Sequence, residues 1–511
     1  MSEPFISSAR ATPARSLAWR AALLPILAGF GIAALMLYAY RDVWSRPFVA
    51  DDYQWLLGVR GLSFRQVVAR AFDVSAQSHF YRPLVWLLFW AQTTLFGLDA
   101  RPFHMVSMAL HALNAGLLGW LAWRLGVNRW GALLAAAIVA LHPAPFEAVV
   151  WVSAQSELLA AALLLIMAHV WVAGRRTTDE TNAGRRAQSA ERRATITVSS
   201  CHLVILSPIH PLARSLLATL ALALALLAKE SAVIGLPLLV LLGSHGNRRG
   251  AARFLPYVLP TLLTVAYLWL QRSIEARNYL LQNGGYGIGI HMLLNPLRSL
   301  ALVFVPLPGT EHADAPMLVW IGAVVAALLL VLFIMGNGGT RRLIAALLLT
   351  LLPTAPFVSP PDSRYIYEPV LVAALLLAVV SQRRMTNAER RMPSTLRGAV
   401  VLCSVFLVLG AGWFAVGEVH AREERWSAAS GPGGSLWRLA QDVCSADKPK
   451  RFMVVDPPVA PPHVEAIVRL ACGAKTEPLI VGRAQVEAKL KNRTVVVGFP
   501  NGSAEVEQRR P

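Results

Sequence analysis

Long apolar runs separated by short polar stretches set the pattern of this chain. The first run, Leu17 to Tyr40, exceeds the roughly 20 residues a helix needs to cross a bilayer. It has no small-residue cleavage site and outlasts a signal-peptide core, so it reads as a retained span. A polar stretch, Arg41 to Tyr81, leads to a partly apolar piece, Arg82 to Phe96, that is short for a span. Pro102–Trp123, Trp130–Leu141 and Ala148–Ala173 follow as apolar runs. Ser215–Ala228 and Ser231–Leu242 are short and read as a hairpin turning at Lys229-Glu230. Phe254–Gln271, the shorter Asn295–Pro308, Met317–Met335, Leu343–Val358, Ile366–Val380 and Gly398–Gly417 complete about eleven predicted spans. No repeat of fixed period is present.

Beyond Glu418 the pattern changes. Arg451–Val455 and Arg493–Gly498 carry the β-branched runs of strands, and His463–Cys472 between them reads as a helix. The expected fold class is therefore an all-α polytopic membrane protein with a small C-terminal α/β extracytoplasmic domain. Its parts are a cytoplasmic N-terminus (1–16), a membrane domain (17–417) with an outer loop (41–101) and a cytoplasmic loop (174–214), and the α/β domain (418–511).

Charge sets the orientation. Hydrophobic residues make up 55% of the chain and charged residues 15%, against about 25% charged in soluble domains. The net charge of +19 sits in arginine clusters between apolar runs, such as Arg175, Arg176, Arg185, Arg186, Arg192 and Arg193. That is how topology determinants are placed. No alternation of basic and aromatic residues marks a nucleic-acid face. The N-terminus is expected in the cytoplasm and the C-terminus outside, in a membrane such as the bacterial inner membrane. Of four cysteines, Cys444 and Cys472 fall in the exported part, where a disulfide between them is expected. No metal-ligand spacing is present; a divalent metal is compatible with the chemistry but not indicated.

On this topology the ionisable residues gather at one face. Asp51-Asp52-Tyr53 follows the first span, and two carboxylates there can take a proton from a hydroxyl, hold a cation, or simply cap a helix. His79, Tyr81 and Arg82 lie outside as well. His142, Glu147 and Glu157 lie near the outer ends of two spans, Lys229 and Glu230 at an outer turn, and Asp362, Arg364, Tyr365 and Tyr367 in another outer segment. Charges of both signs at a membrane face usually mark a functional site. Within one span, His104, Ser107, His111 and Asn114 form a single helical stripe. It serves interhelical hydrogen bonds or, given further ligands, a metal.

Six stretches occur in one order: DDY after the first span, YRPLVWLLFW, FHMVSMALHALN, ALHPAPFEAVVWVSAQSELLAA, LLAKESAVIGLPLLVLL and PDSRYIYEP. Together they resemble the GT-C fold glycosyltransferases, especially the transmembrane O-mannosyltransferases with tetratricopeptide repeats and their bacterial relatives. The resemblance covers roughly Phe48 to Leu376. Two departures concern the acceptor more than the chemistry. No 34-residue repeat follows the last span, and Ser-Ala-Gln-Ser stands where relatives often carry a Gly-Arg pair.

The resemblance implies inverting transfer of a sugar from a polyprenyl-phosphate donor to an acceptor hydroxyl of a glycan, lipid or protein, at the extracytoplasmic face. It places the catalytic acid on the Asp51-Asp52 pair, with Asp51 as base and Asp52 as its orienting partner or the base in its place. The leaving lipid phosphate needs cations, for which Arg82, Lys229 and Arg364 are the candidates. Tyr81, His142, Glu147, Glu157, Glu230, Asp362 and Tyr365 would shape the site. The competing readings are a lipid or sugar transporter or flippase, a non-catalytic envelope assembly protein, and a polymerase or ligase acting on lipid-linked glycans.

Overall fold

The computed structural model describes residues 14–76, 80–173, 211–243, 254–275, 279–306, 308, 316–389, 394–446 and 448–510. Most of the 174–214 loop, residues 1–13, His79 and Cys201 lie outside the described residues. The fold is mostly helical, with one small sheet near its C-terminal end. The helices in chain order are α1 (Ala14–Ala39), α2 (Asp51–Val59), α3 (Phe64–Phe72), α4 (Pro83–Phe96), α5 (Ala100–Arg124), α6 (Arg129–Leu141), α7 (Phe146–Val150) and α8 (Gln155–Val172). They continue with α9 (Pro211–Ala228), α10 (Gly235–Leu242), α11 (Leu255–Glu275), α12 (His291–Phe304), α13 (Pro316–Met335), α14 (Gly338–Leu351), α15 (Tyr367–Glu389) and α16 (Ser394–Ala446). Strand β1 (Arg451–Val455), helix α17 (Pro461–Cys472), β2 (Glu477–Val481), β3 (Thr494–Gly498) and β4 (Glu505–Arg510) close the chain.

Among the described residues four segments are long and apolar enough to cross a membrane: Ala100–Arg124, Val152–Val172, Pro316–Met335 and Ser363–Gln382. Five shorter apolar helices accompany them. The chain is an integral membrane protein. Local signals start and stop these helices. Asp99 caps α5 and Asn128 caps α6 through their side-chain oxygens. Pro83 opens α4, and Gly97, with φ of 65°, ends it in a backbone state that costs glycine little. The polar stripe of α5 faces inward. His104, Ser107, His111 and Asn114 are all buried, and His111 Nδ1 and Asn114 Nδ2 meet the Tyr367 hydroxyl at 2.8 and 3.2 Å. The stripe therefore serves interhelical hydrogen bonds, which hold α15 against α5.

The sheet has the order β2-β1-β3-β4. The first three strands are parallel, and β4 runs antiparallel at one edge. The nearly continuous burial of β1 and β3 is what a parallel sheet covered on both faces requires. Phe452, Val454, Val495 and Val497 share a core with Val464, Ile467 and Val468 of α17, with Leu436, Trp437 and Ala440 of α16, and with Phe48, Tyr53 and Leu56 around α2. The sheet unit and the segment after the first span thus bury one common surface. Helix α16 runs without interruption from the last apolar stretch through residue 418 and into that core.

Cys444, near the end of α16, is disulfide-bonded to Cys472 at the end of α17, across 28 residues. Peptide mapping without reductant should yield the linked pair. Cys444→Ser should destabilise the C-terminal unit by about 2–5 kcal/mol. Two free thiols in protein purified without reductant would contradict this pairing.

Candidate active site

Helix α2 begins at Asp51 itself, so neither aspartate is its cap residue; Ala50 is. Ala50 sits at φ 49°, ψ −116°, a conformation that strains a residue with a Cβ by on the order of 1–3 kcal/mol. Asp52 holds the turn in place. Its Oδ2 accepts from the Val49 N–H at 2.8 Å, and its Oδ1 accepts from the Ser153 N–H at 2.7 Å and from the Ser153 hydroxyl. Asp52 is 1% exposed. Burial pushes its carboxyl up to about 7, against the lowering effect of the Ser153 and Val49 donors, and the Asp51 charge adds to the rise. Both of its oxygens are engaged, a geometry that suits an orienting group rather than a base. The Asp51 side chain is half exposed, and its Oδ1 lies 3.0 Å from Nε2 of His463.

Trp151 carries the site from these aspartates to the cations. Its indole N–H donates to the Val49 carbonyl at 3.1 Å, and the Arg364 guanidinium lies over its ring at 4.6 Å. Arg364 donates from Nη1 to Glu147 at 2.8 Å, and its Nη2 pairs with Asp362 at 2.6 Å. Burial raises the Glu147 carboxyl, and Arg364 counters that rise. The Tyr365 ring carries Arg364 and Lys229 at 4.7 Å each. Lys229 is buried in an ion pair with Glu157. Arg82 grips Glu230 with two hydrogen bonds, at 2.8 and 2.6 Å. A cavity of about 410 Å³ opens beside this network, lined by Lys229, Glu230, Tyr365, Tyr286, Leu349 and Leu352.

Two of the expected shaping residues act on the backbone. The ring of His142 accepts from the Ala144 N–H at Nδ1 (3.2 Å) and donates from Nε2 to the Val303 carbonyl (3.0 Å). That pattern suits a neutral imidazole, and burial lowers the ring to about 4. Tyr81 is buried, donating its backbone N–H to Gln271 and its hydroxyl to the Phe72 carbonyl. The remaining candidates (Asp51, Asp52, Arg82, Glu147, Glu157, Lys229, Glu230, Asp362, Arg364 and Tyr365) come together at the end of the bundle that carries the sheet. The sequence reading missed Trp151, Ser153 and His463. Ser153 belongs to the Ser-Ala-Gln-Ser stretch that departs from the Gly-Arg pattern, and the other two had no local signal.

Asp42, His420 and Glu423 bring three ligand atoms within 4.8 Å of one another. Arg41 Nη2 stands 3.0 Å from His420 Nε2, however, and Arg46 Nε 3.1 Å from Glu423. Guanidinium charges therefore already occupy the cluster's edge, and it reads as an ion-pair stitch between the end of α1 and α16.

No family model matches the chain, and no curated protein matches it. Similar solved structures exist. ArnT from Cupriavidus metallidurans, bound to undecaprenyl phosphate, is 13% identical with a TM-score of 0.47, over 93% of each chain. The oligosaccharyltransferase AglB from Archaeoglobus fulgidus, in complex with an inhibitory peptide and a dolichol-phosphate, is 12% identical with a TM-score of 0.44, over 90% of this chain and 64% of its own. The Archaeoglobus fulgidus oligosaccharyltransferase tethered to an acceptor peptide is 11% identical with a TM-score of 0.48, over 92% and 65%. ArnT and AglB are glycosyltransferases of the GT-C fold, the class the motifs resemble.

The Asp52 carboxyl gives a signed prediction. Its folded value, about 7, lies above the ordinary 3.8, so the folded state keeps a proton that the unfolded chain releases between these values. Asp52's contribution to stability is fully present below about pH 4 and is lost as the pH rises to about 7. Thermal unfolding in detergent at about pH 5 and about pH 8 should show a larger drop for wild type than for Asp52→Asn. Equal drops would overturn this assignment.

Proposed function

We propose that this protein transfers a sugar from a polyprenyl-phosphate donor to an acceptor hydroxyl at the extracytoplasmic membrane face, with inversion, using Asp51 as general base. The observation that carries the reading is an accessible carboxylate at a strained helix start, joined through Trp151 to a cluster of three cations beside a largely apolar cavity. An acceptor hydroxyl is a weak nucleophile and needs a carboxylate within hydrogen-bond reach. Asp51 offers its Oδ2, which has no partner among the described residues, for that task, while Asp52 holds the turn.

The cavity beside Lys229 is polar at Lys229, Glu230 and Tyr365 and apolar at Leu349 and Leu352, which suits an amphiphile with a phosphate head. Arg364, Arg82 and Lys229 face the charge that grows on the departing lipid phosphate. Arg364 is the arm that rearranges most readily: its Asp362 partner is half exposed, and an incoming phosphate replaces that carboxylate in a bidentate contact. Tyr365 keeps Arg364 and Lys229 apart on its ring, and Glu147 and Glu157 fix their positions. The acceptor is a glycan, lipid or protein that enters from the side of the sheet.

The topology belongs to the same proposal. About eleven spans, a cytoplasmic N-terminus and an extracytoplasmic α/β unit from 418 onward put the arginine-rich loops inside and the acidic pair outside. Labelling of single engineered cysteines in sealed vesicles should find positions beside Asp51, Asp362 and Glu505 reactive from the outer face only. Labelling only after the inner face is exposed would reverse the orientation.

Activity is tested by sugar transfer from a polyprenyl-phosphate donor in detergent or liposomes. Asp51→Asn should lower turnover by about 10²–10⁴-fold with the protein folded and inserted. Arg82→Lys should also be impaired, because an ammonium cannot reproduce a planar two-donor contact. Wild-type turnover in Asp51→Asn would remove the base from the mechanism. Donor movement across the bilayer without transfer would favour the transporter alternative.

A further inference from the structure

Asp51 has one hydrogen-bond partner among the described residues, and it comes from the other end of the chain. The His463 ring nitrogen Nε2 lies 3.0 Å from Asp51 Oδ1, across 412 residues of sequence. His463 sits in the first turn of α17, where Pro461 and Pro462 set the helix start and the His463 N–H donates to the Ala460 carbonyl. The ring is mostly covered, with a side chain 19% exposed, against 50% for Asp51.

The contact rests on a rigid frame. Val464, Ile467 and Val468 of α17 share one core with Tyr53, Leu56 and Val59 of α2. Arg60, just past α2, donates to the Leu470 carbonyl, and the disulfide pins Cys472 to Cys444. Two helices held this way leave the His463–Asp51 distance little freedom. At the other side of the contact, the strained Ala50 turn and the Asp52 hydrogen bonds fix where the Asp51 backbone stands. What they leave free is rotation of the Asp51 carboxylate, and His463 removes it. With Oδ1 held by the imidazole, Oδ2 is the oxygen presented to an acceptor hydroxyl.

We propose that His463 is a positioning residue for the Asp51 base, so that the C-terminal α/β unit is part of the active site rather than an appendage. The inference rests on the glycosyl-transfer reading and deepens it. In the step itself the acceptor O–H bond breaks, its proton passes to Asp51 Oδ2, and the acceptor oxygen forms its bond to the sugar carbon as the lipid phosphate leaves with the bonding pair. His463 exchanges no proton in this step; its Nε2–H donates to Oδ1 throughout.

The test is steady-state transfer by the full-length protein, with donor and acceptor varied separately. His463→Ala should lower kcat by about 10- to 100-fold, the scale of losing alignment of a reacting group, with the donor KM unchanged within about twofold. His463→Gln, whose amide N–H can still donate to Oδ1, should recover part of that loss. Imidazole added to His463→Ala should do the same. In the Asp51→Asn background, His463→Ala should cost nothing further, because the two residues act as a unit. Thermal unfolding and the Cys444–Cys472 peptide report whether each variant is folded. Where His463→Ala does not fold, the His463→Gln comparison and its double variant with Asp51→Asn decide the question. If Asp51→Asn is inactive while folded His463→Ala and His463→Gln keep wild-type kcat, this inference is wrong and the transfer reading stands. An additional full loss in the Asp51→Asn background would also overturn it. If Asp51→Asn is itself fully active, the base assignment fails first.

Discussion

The carboxyl of Asp52 is the tie on which the candidate site depends. It joins the turn at Val49 to Ser153, residues more than a hundred positions apart, through three donors. A buried carboxyl with fewer partners would be too costly to keep there. Because the tie closes over Ala50, the backbone accepts a positive φ at a residue that disfavours it, and Asp51 emerges at the start of α2 facing outward. The same closure brings Trp151 under Val49 and so sets the plane on which Arg364 lies. Removing the Asp52 tie would release the strain and the alignment together.

Beyond this tie the site is organised by pairing. Arg82 is matched to Glu230, Lys229 to Glu157, and Arg364 to Glu147 and Asp362. Cations held by carboxylates and by the faces of Trp151 and Tyr365 are pre-oriented but not free. Buried pairs contribute little net stability, while breaking one by removing a single partner is expensive. Their role here is placement. The most exposed of these carboxylates is Asp362, which makes Arg364 the cation whose partner can be exchanged at lowest cost.

Much of this arrangement is legible in the sequence, because polar residues at the ends of apolar runs have few reasons to be there. Asp51, Lys229, Glu230, Arg364 and Tyr365 stand out for that reason, and the inward stripe on α5 follows from helical spacing alone. What escapes is what tertiary packing decides. Gly431-Pro432-Gly433-Gly434 reads as a break, yet α16 passes through it because Leu436, Trp437 and Ala440 are held in the shared core. Pro478 hides strand β2, which is tolerated because that strand lies at the sheet edge. The charged alternation of Glu505 to Arg510 hides β4 at the opposite edge. His463 has no signal in its own neighbourhood; only the packing of α17 against α2 gives it a partner.

The charge balance of the site carries one further consequence. Arg82, Lys229 and Arg364 stand among Asp51, Asp52, Glu147, Glu157, Glu230 and Asp362, so carboxyl groups outnumber cations. A site with that surplus fully ionised would repel a lipid phosphate. Burial offsets the surplus by favouring the neutral form of some of these acids, as it does at Asp52 and Glu147. On the proposed reading, donor binding then draws the carboxyl protons more tightly, because a phosphate beside them raises the cost of ionising each one. Donor affinity and proton uptake are linked by that repulsion.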